Sequence, residues 1–410
     1  MAEPIDAARV IRDLRELAAR TSDAQGAQRV CWTDTWVAAR EFLEELLDEI
    51  NLRTERDEAG NLWAELGGAD PDLPALAIGS HLDSVPGGGW LDGALGVMAA
   101  LGVLRAHAGG DEPPARSIAL VDWADEEGAR FGRSLFGSSA FSGSLDAAEL
   151  DGLTDAGGVR IADALREHGV DLARVSRAAE RQGRIARYLE LHIEQGPRME
   201  AAGTRVAAVR GCVGIERVRF QFRGQASHAG TTPMEMRRDA ALAAAEAALA
   251  IERVPIAHGG VATTGELRLE PGIATAVAGR ATLTVDLRNE NSLDLAGMLA
   301  GARAAAHAAA AARDLDVDET PVWRIDPTPF DDELVAMARE ECAAATGDPA
   351  ELTSGALHDA AEVARVHPAA MMFAPSRGGI SHAPEEDTGE GELAVAIEAF
   401  GALAERALAA

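Results

Sequence analysis

The pattern of apolar and polar residues predicts two kinds of structure along this chain. In the first half, short apolar runs such as "ALAIGS" (75–80) and "SIALVDW" (117–123) are bounded by turn residues, which is typical of buried parallel strands. Between them, "GALGVMAALGVLRAHA" (93–108) has the small residues and the length of a packed helix. These segments predict a β–α–β unit in an α/β sheet with covered faces. The pattern of apolar and polar residues also predicts a strand at 187–197 and amphipathic helices at 7–20 and 35–50.

A different pattern begins near residue 213. The segment "GIERVRFQFRG" (214–224) alternates polar and apolar residues, as an antiparallel strand with one solvated face does. The segments that follow complete the order β-α-β-β-α-β, which is that of a compact ferredoxin-like unit. They are a helix at 235–253, strands at 260–269 and 280–288, an Ala-rich helix from residue 293, and the strand "VDETPVWRID" at 317–326.

This second unit is predicted to be an insertion. The segments "ELVAMARE" (333–340) and "AAMMFAP" (369–375) again have the pattern of helices and buried strands that is seen in the first half of the chain. The expected fold class is therefore α/β with two domains: one with a central, mostly parallel sheet, and an inserted ferredoxin-like α+β domain. The expected boundaries are 1–212 and 321–410 for the two parts of the first domain and 213–320 for the insert.

Composition and charge narrow the possible functions. The chain has 410 residues, and no apolar run approaches the ~18 residues that a membrane helix needs. All 38 basic residues are Arg, which excludes a PLP Schiff base, a P-loop lysine and a metal-bridging carboxylated lysine. The net charge of −29 would repel a nucleic-acid backbone. Three widely separated cysteines favour a reducing, cytoplasmic compartment over a disulfide framework or a thiolate zinc site.

Acidic and imidazole side chains follow four of the predicted strands. In open α/β sheets, ligands bind beyond the carboxyl ends of the strands, so these side chains are expected to converge. In strand order they are His81 with Asp83, Glu126 with Glu127, His192, and His382, and Asp92 follows a glycine-rich loop.

Each of these signals also has a simpler structural interpretation. A lone His at a strand end is more often a hydrogen-bonded core residue, and paired Glu residues there usually form a solvated turn. A glycine-rich loop is weak by itself. Together, however, five such groups at adjacent strand ends would repel one another or remain unpaired unless cations were bound. Mixed imidazole and carboxylate ligands suit two divalent ions such as Zn, Mn, Co or Ni.

These residues resemble the M20 group of dinuclear metallohydrolases, and within it the hydantoinase/carbamoylase branch. That branch contains N-carbamoyl-L-amino acid amidohydrolases, β-ureidopropionases and allantoate amidohydrolases. The resemblance extends from about residue 30 to the C-terminus. It is carried by seven motifs in the right order: "GSHLDSVPGGGWLDGALGV", "DEEGARFG", "LHIEQGP", "SHAGTTPM", "VDLR", "SGALHDA" and "SRGGISHAPEE".

The resemblance implies a role for each residue of the metal site. Asp92 would bridge the two ions. Asp83 would orient His81, because a histidine that binds a metal through one ring nitrogen usually donates the other ring N–H to a carboxylate or carbonyl. Glu126 would be the general base. The implied metal ligands are His81, Asp92, Glu127, His192 and His382.

The resemblance also implies how a substrate is held. His228 would donate to the developing oxyanion, often from the partner subunit, because the insert would be a lid and dimerisation domain. Arg288 would clamp the substrate carboxylate and Gln195 the carbamoyl amide. The implied substrate contacts are Gln195, Arg288, Thr275, His358 and Gly379.

The implied activity is hydrolysis of the C–N bond of a small ureido acid, such as an N-carbamoyl amino acid, with release of ammonia and CO2. The implied assembly is a homodimer joined through the insert. Two positions depart from the family pattern. Thr275 stands where the family usually has Asn, and Leu357, beside His358, stands where it usually has Gly. Both departures concern predicted substrate contacts or their neighbours, and neither concerns a predicted metal ligand.

Three other functions remain open from the sequence. Within the branch, the chain could act on allantoate. Within the wider superfamily, it could be a peptidase or an N-acyl amino acid deacylase, although those chains commonly carry an acidic residue at the position of His192. A non-catalytic binding protein with this fold would have no use for the general base Glu126.

Overall fold

A computed structural model describes residues 3–110 and 112–410, and it divides the chain into two compact units. The first unit comprises Met1–Gly211 and Pro329–Ala410, and the second comprises Cys212–Thr328. The helices are α1 Ala7–Thr21, α2 Asp34–Asp48, α3 Ala94–Ala108, α4 Phe136–Ser142, α5 Ile161–Glu167, α6 Arg198–Ala202, α7 Ala240–Ile251, α8 Ser292–Ala311, α9 Asp332–Thr346, α10 Asp359–Val363 and α11 Glu390–Ala409. The strands are β1 Ser22–Asp23, β2 Gly26–Ala27, β3 Thr54–Arg56, β4 Leu62–Leu66, β5 Ala75–His81, β6 Ile118–Trp123, β7 Ile185–Ile193, β8 Ala207–Cys212, β9 Gly214–Arg223, β10 Ser227–His228, β11 Val261–Glu270, β12 Ala276–Val277, β13 Arg280–Asn289, β14 Asp316–Ile325, β15 Thr328–Pro329, β16 Glu351–Ser354 and β17 Ala369–Ala374.

The first unit is built on a nine-stranded sheet with the strand order β15-β8-β17-β7-β5-β6-β4-β3, in which β16 pairs with β8. Its four central strands, β17, β7, β5 and β6, are parallel to one another. The sheet as a whole is mixed rather than mostly parallel, because β4 is antiparallel to β6, β3 to β4, and β8 to β17. Strands β3 and β4 are joined by a short loop, which permits only antiparallel pairing.

Buried side chains on both faces explain why the central strands are continuous apolar runs. Every residue of β5, β6 and β17 is buried. Helix α3 packs closely on the sheet because its contact positions are small: a Cβ at Gly96 would lie 2.6 Å from Leu191 O. The predicted helix at 93–108 is thus confirmed, and it connects β5 to β6 as expected.

The second unit has the predicted order β-α-β-β-α-β. Strands β9, β11, β13 and β14 form an antiparallel sheet with the order β11-β13-β9-β14, and α7 and α8 pack on one face of it. The alternation in β9 places Val218, Phe220 and Phe222 in this core. The unit extends to Thr328 rather than to residue 320, because β14 pairs with β9 as far as Ile325.

Over residues 3–110 and 112–410, no helix combines the length and the apolar character that crossing a membrane requires.

Candidate metal centre

The four parallel strands bring their polar residues to one edge of the sheet. His81 is the last residue of β5, His192 is the second-last residue of β7, and β6 ends two residues before Asp125. Asp125 has a positive φ of 58°, and this turn directs the two following glutamates. Because β17, β7, β5 and β6 are neighbours in the sheet, all four strand ends face the same region.

Asp92 reaches this region because glycine precedes α3. Gly93 has φ 64°, and a Cβ at this position would lie 2.4 Å from His81 Cε1. Glycine therefore allows the loop after β5 to turn back tightly enough for Asp92 to meet the strand ends. The Gly93 N–H also donates to His192 Nε2 at 3.2 Å, which ties the start of α3 to β7.

Two groups of potential ligands share Asp92. His192 Nε2 lies 3.3 Å and His81 Nε2 lies 3.7 Å from Asp92 Oδ1. His382 Nε2 lies 3.4 Å from the other oxygen, Oδ2, and 3.4 Å from Glu127 Oε2. Each oxygen of Asp92 therefore belongs to a separate group of imidazole and carboxylate atoms, and within each group these atoms lie within 4.8 Å of one another.

Asp83 fixes the two glutamates that follow β6. Its Oδ1 and Oδ2 accept hydrogen bonds from the backbone N–H groups of Glu126 at 3.2 Å and Glu127 at 3.1 Å. His81 Nδ1 lies 3.1 Å from the Asp83 carbonyl oxygen and 3.5 Å from Oδ1. Asp83 thus contacts the ring of His81 and also holds the backbone of both glutamates.

Glu386 and Ser381 position Asp92, a role that the sequence had not assigned to them. Glu386 Oε1 accepts the N–H groups of Leu91 at 3.1 Å and Asp92 at 3.0 Å. Ser381 Oγ donates to Asp92 Oδ2 at 2.9 Å, and it also lies 3.0 Å from Glu386 Oε2. Both residues belong to the motif that contains His382, but the only site residues predicted in that motif are His382 and Gly379.

Gln195 also lies in the centre. Its Nε2 donates to Asp92 Oδ2 at 2.8 Å, and its Oε1 is buried without a partner among the described residues. Gly379 packs against the segment that follows Gln195, since a Cβ at Gly379 would lie 2.7 Å from Pro197 N. The structure therefore brings both predicted substrate contacts to the loops around Asp92.

His358 is buried against a ligand position. Its ring packs edge-on against His192 with centroids 4.4 Å apart, and its Nε2 lies 2.9 Å from Ser354 Oγ. With 2% of its surface exposed, it supports His192 from within the core. Glu190, which accepts Ser80 Oγ at 2.7 Å, completes this buried group.

The carboxylates of the centre stabilise positive charge on the groups around them, and the pKa values of the side chains reflect this. Burial lowers the pKa of His81, but nearby carboxylates, Glu126 foremost, outweigh burial and raise it well above its usual value. The hydrogen bond to Asp92 raises the pKa of His382 to about 9. Burial raises the pKa of Glu127 to about 7 and that of Glu126 well above its usual value.

This donor set fits divalent metal ions. It combines imidazole nitrogens with carboxylate oxygens, which are ordinary ligands of Zn, Mn, Co and Ni. Glu127 Oε1 is buried and, within the part of the chain that the structure describes, has no hydrogen-bond partner. A bound cation would supply the partner that this oxygen lacks.

The second unit carries the remaining predicted residues. His228 and Thr275 lie side by side, since β10 pairs with β12 and Ala229 N donates to Thr275 O at 2.9 Å. Both side chains are exposed. Near the end of β13, Arg288 Nε donates to Asp286 Oδ1 at 2.8 Å.

Potential ligands gathered at the carboxyl edge of an α/β sheet define a metallohydrolase type of site. The model of Peptidase family M20/M25/M40 matches residues 77–406, and this chain belongs to that family.

Individual relatives cover almost the whole chain. An N-carbamoyl-L-amino-acid amidohydrolase from Paenarthrobacter aurescens is 36% identical and covers 93% of each chain. An allantoate amidohydrolase from Bacillus subtilis is 31% identical and covers 92% of this chain and 91% of its own. The crystal structure of a hydantoinase/carbamoylase family amidase from Burkholderia ambifaria has a TM-score of 0.88, with 33% identity and 99% of each chain covered. The predicted membership of this branch is confirmed.

Proposed function

We propose that this chain is a metal-dependent amidohydrolase that cleaves the C–N bond of an N-carbamoyl amino acid or a related ureido acid. Ammonia and carbon dioxide are the expected by-products. The observation that carries this proposal is the carboxylate of Asp92, which serves two ligand groups at once. The similarity to N-carbamoyl-L-amino-acid and allantoate amidohydrolases supports the choice of substrate class.

The residues that would hold two divalent ions are His81, Asp92, Glu127, His192 and His382. When bound, such ions polarise a carbonyl group and lower the pKa of water.

Glu126 is the proposed general base. Its Oε2 lies 3.7 Å from His81 Nε2, at the edge of the ligand group, and its carboxyl is almost completely buried. Burial raises the pKa of Glu126, which suits a group that takes a proton from water and later gives it to the leaving nitrogen. Asp83 keeps this carboxylate in place through the Glu126 backbone.

Gln195 and Arg288 are the proposed anchors of the substrate. Gln195 has a buried Oε1 that can accept an N–H of a carbamoyl group. Arg288 offers a guanidinium for the substrate carboxylate, and His228 offers a ring N–H for the developing oxyanion. Thr275, which lies beside His228, supplies a hydroxyl where an amide is usual in the family.

A homodimer through the second unit is also proposed. Strand β11 is one of the two edge strands of its sheet and is largely exposed. Large apolar side chains are exposed on the same unit, including Leu249 (60%), Ile256 (83%) and Leu293 (82%). Edges and patches of this kind are usually covered. The three buried cysteines are unpaired, which supports a reducing, cytoplasmic location.

The test is ammonia release by protein that has been stripped of metal and reloaded separately with Mn²⁺, Co²⁺, Ni²⁺ or Zn²⁺. The substrates are N-carbamoyl-L-amino acids, 3-ureidopropionate and allantoate, with N-acetyl amino acids and dipeptides assayed for their own products. We expect a ureido acid to be the best substrate and chelation to abolish its turnover. Preference for an N-acetyl amino acid or a dipeptide would instead establish a deacylase or peptidase. If no reloaded form turns over any of these substrates, the result would indicate a non-catalytic binding protein.

A further inference from the structure

Arg29 is a fully buried arginine, 0% exposed, beside the segment that follows β5. Its Nε donates to the carbonyl oxygen of Leu82 at 2.7 Å, and Leu82 is the residue between His81 and Asp83. The Arg29 backbone is tied to the same segment, since its N–H donates to Ser84 Oγ at 3.1 Å and its carbonyl accepts Ser84 N at 3.0 Å. Arg29 therefore braces the stretch that carries the first predicted ligand.

The guanidinium of Arg29 is incompletely hydrogen-bonded. Nη1 lies 3.5 Å from Thr21 Oγ1, and Nη2 is buried without a hydrogen-bond partner in the described residues. Buried arginines are normally paired with a carboxylate, as Arg40 is with Asp122 at 2.6 Å in the same unit. A buried cation without such a pair needs another source of negative potential.

The metal centre supplies that potential. Burial lowers the pKa of Arg29, whereas the negative charges of Glu386, Asp92, Asp83 and Glu127 act in the opposite direction. Two of these carboxylates are predicted ligands, and the other two hold ligands in place through hydrogen bonds. A fixed positive charge near them offsets part of their mutual repulsion.

We propose that Arg29 is a positioning residue whose buried charge holds the acidic ligand cluster together before metal binds, while its Nε fixes Leu82 between His81 and Asp83. This inference rests on the proposed metal centre. Bound cations would themselves offset the carboxylates. The metal-free protein therefore depends on Arg29 more than the loaded protein does.

The experiment compares the melting temperatures of full-length metal-free and Mn²⁺-loaded protein. Arg29→Gln removes the charge but keeps an N–H donor for Leu82. We expect its metal-free Tm to fall by about 6 °C or more, and its loaded Tm to fall by less than half as much. Arg29→Lys keeps the charge, so we expect its metal-free and loaded forms to lose equal amounts. Arg40→Gln is the matched control: it removes a buried arginine that is paired locally, and it should lower both temperatures equally.

Equal losses in the two forms of Arg29→Gln would overturn the proposal and leave Arg29 a structural residue only. If Arg29→Gln does not fold in either form, the double variant Arg29→Gln/Glu386→Gln should be recovered folded, because it also removes one of the negative charges. Failure of the double variant to fold would likewise overturn the proposal. Absence of any rise in the Tm of the wild-type protein with Mn²⁺, Co²⁺, Ni²⁺ or Zn²⁺ would instead contradict the proposed metal centre.

Discussion

Replacement of Asp83 by Asn tests whether activity depends on the hydrogen bonds that Asp83 accepts from the backbone N–H groups of Glu126 and Glu127. In the wild-type protein, both carboxylate oxygens accept backbone N–H groups, those of Glu126 at 3.2 Å and Glu127 at 3.1 Å. An asparagine can accept only one of these bonds and would place an NH2 group against the other N–H. Hydrogen bonds to a charged acceptor contribute about 1.5–3 kcal/mol each. We therefore expect a loss of about 3 kcal/mol, or on the order of 100-fold in kcat/KM.

The assay for Asp83→Asn is ammonia release at saturating metal, together with metal content by elemental analysis. Since Glu127 is a proposed ligand, we expect weaker retention of metal during dialysis as well. The matched control is Asp57→Asn, because Asp57 also accepts two backbone N–H groups, those of Ala59 at 3.0 Å and Asn61 at 3.1 Å, without bonding to a site residue. It should lower Tm but leave kcat/KM within about threefold of wild type. If Asp83→Asn retains wild-type kcat/KM, then the alignment of Glu126 does not depend on Asp83.

Four further outcomes are expected. Glu126→Gln should keep its metal but lose at least about 100-fold in kcat, and normal turnover would show that another group is the base. Arg288→Ala should lower kcat/KM for an N-carbamoyl amino acid by roughly 30-fold, about 2 kcal/mol, with unchanged metal content, and a wild-type value would mean that the carboxylate is held elsewhere. Leu267→Lys, at a position 46% exposed on β11, should convert a dimer into a monomer in light scattering, and a wild-type monomer would refute the proposed assembly. Burial raises the pKa of the Cys342 thiol to about 12, so Ellman's reagent should modify no thiol of the native protein and all three in denaturant; rapid modification of a native thiol would contradict this burial.

The parts of the site that lie at strand ends could be predicted from the sequence. The central strands are continuous apolar runs, and the predicted strands at 75–80 and 117–123 agree with β5 and β6 to within one residue at each end. The order of these strands along the chain indicated parallel pairing, and parallel strands place their carboxyl ends together. The convergence of His81 and His192 follows from that arrangement. The antiparallel outer strands were not predicted, because segments such as β3 are short and half exposed.

The residues that support the ligands could not be predicted in the same way. Glu386 accepts the N–H of Asp92, a residue 294 positions earlier, and no periodicity in the sequence reports such a bond. Arg29 precedes the first predicted ligand by more than 50 residues and lies in a segment without a clear pattern. Its role depends on burial and on the charges around it, and both are properties of the folded chain. A motif can thus identify a ligand more readily than the groups that hold the ligand in place.

The parallel pairing of β17 with β7 has a consequence for synthesis of the chain. Phe373 pairs in register with His192, although the whole second unit lies between them in sequence. At about 5–20 residues per second, translation takes roughly 10–40 s to proceed from His192 to His382. During that interval, the nascent chain already contains β5, β6 and β7, but the edge of β7 that later binds β17 is unpaired. Unpaired strand edges promote aggregation. A ribosome that stalls within the second unit would therefore leave a chain without His382, the last proposed ligand. The same chain would expose an unpaired, aggregation-prone edge of β7 that chaperones would need to cover.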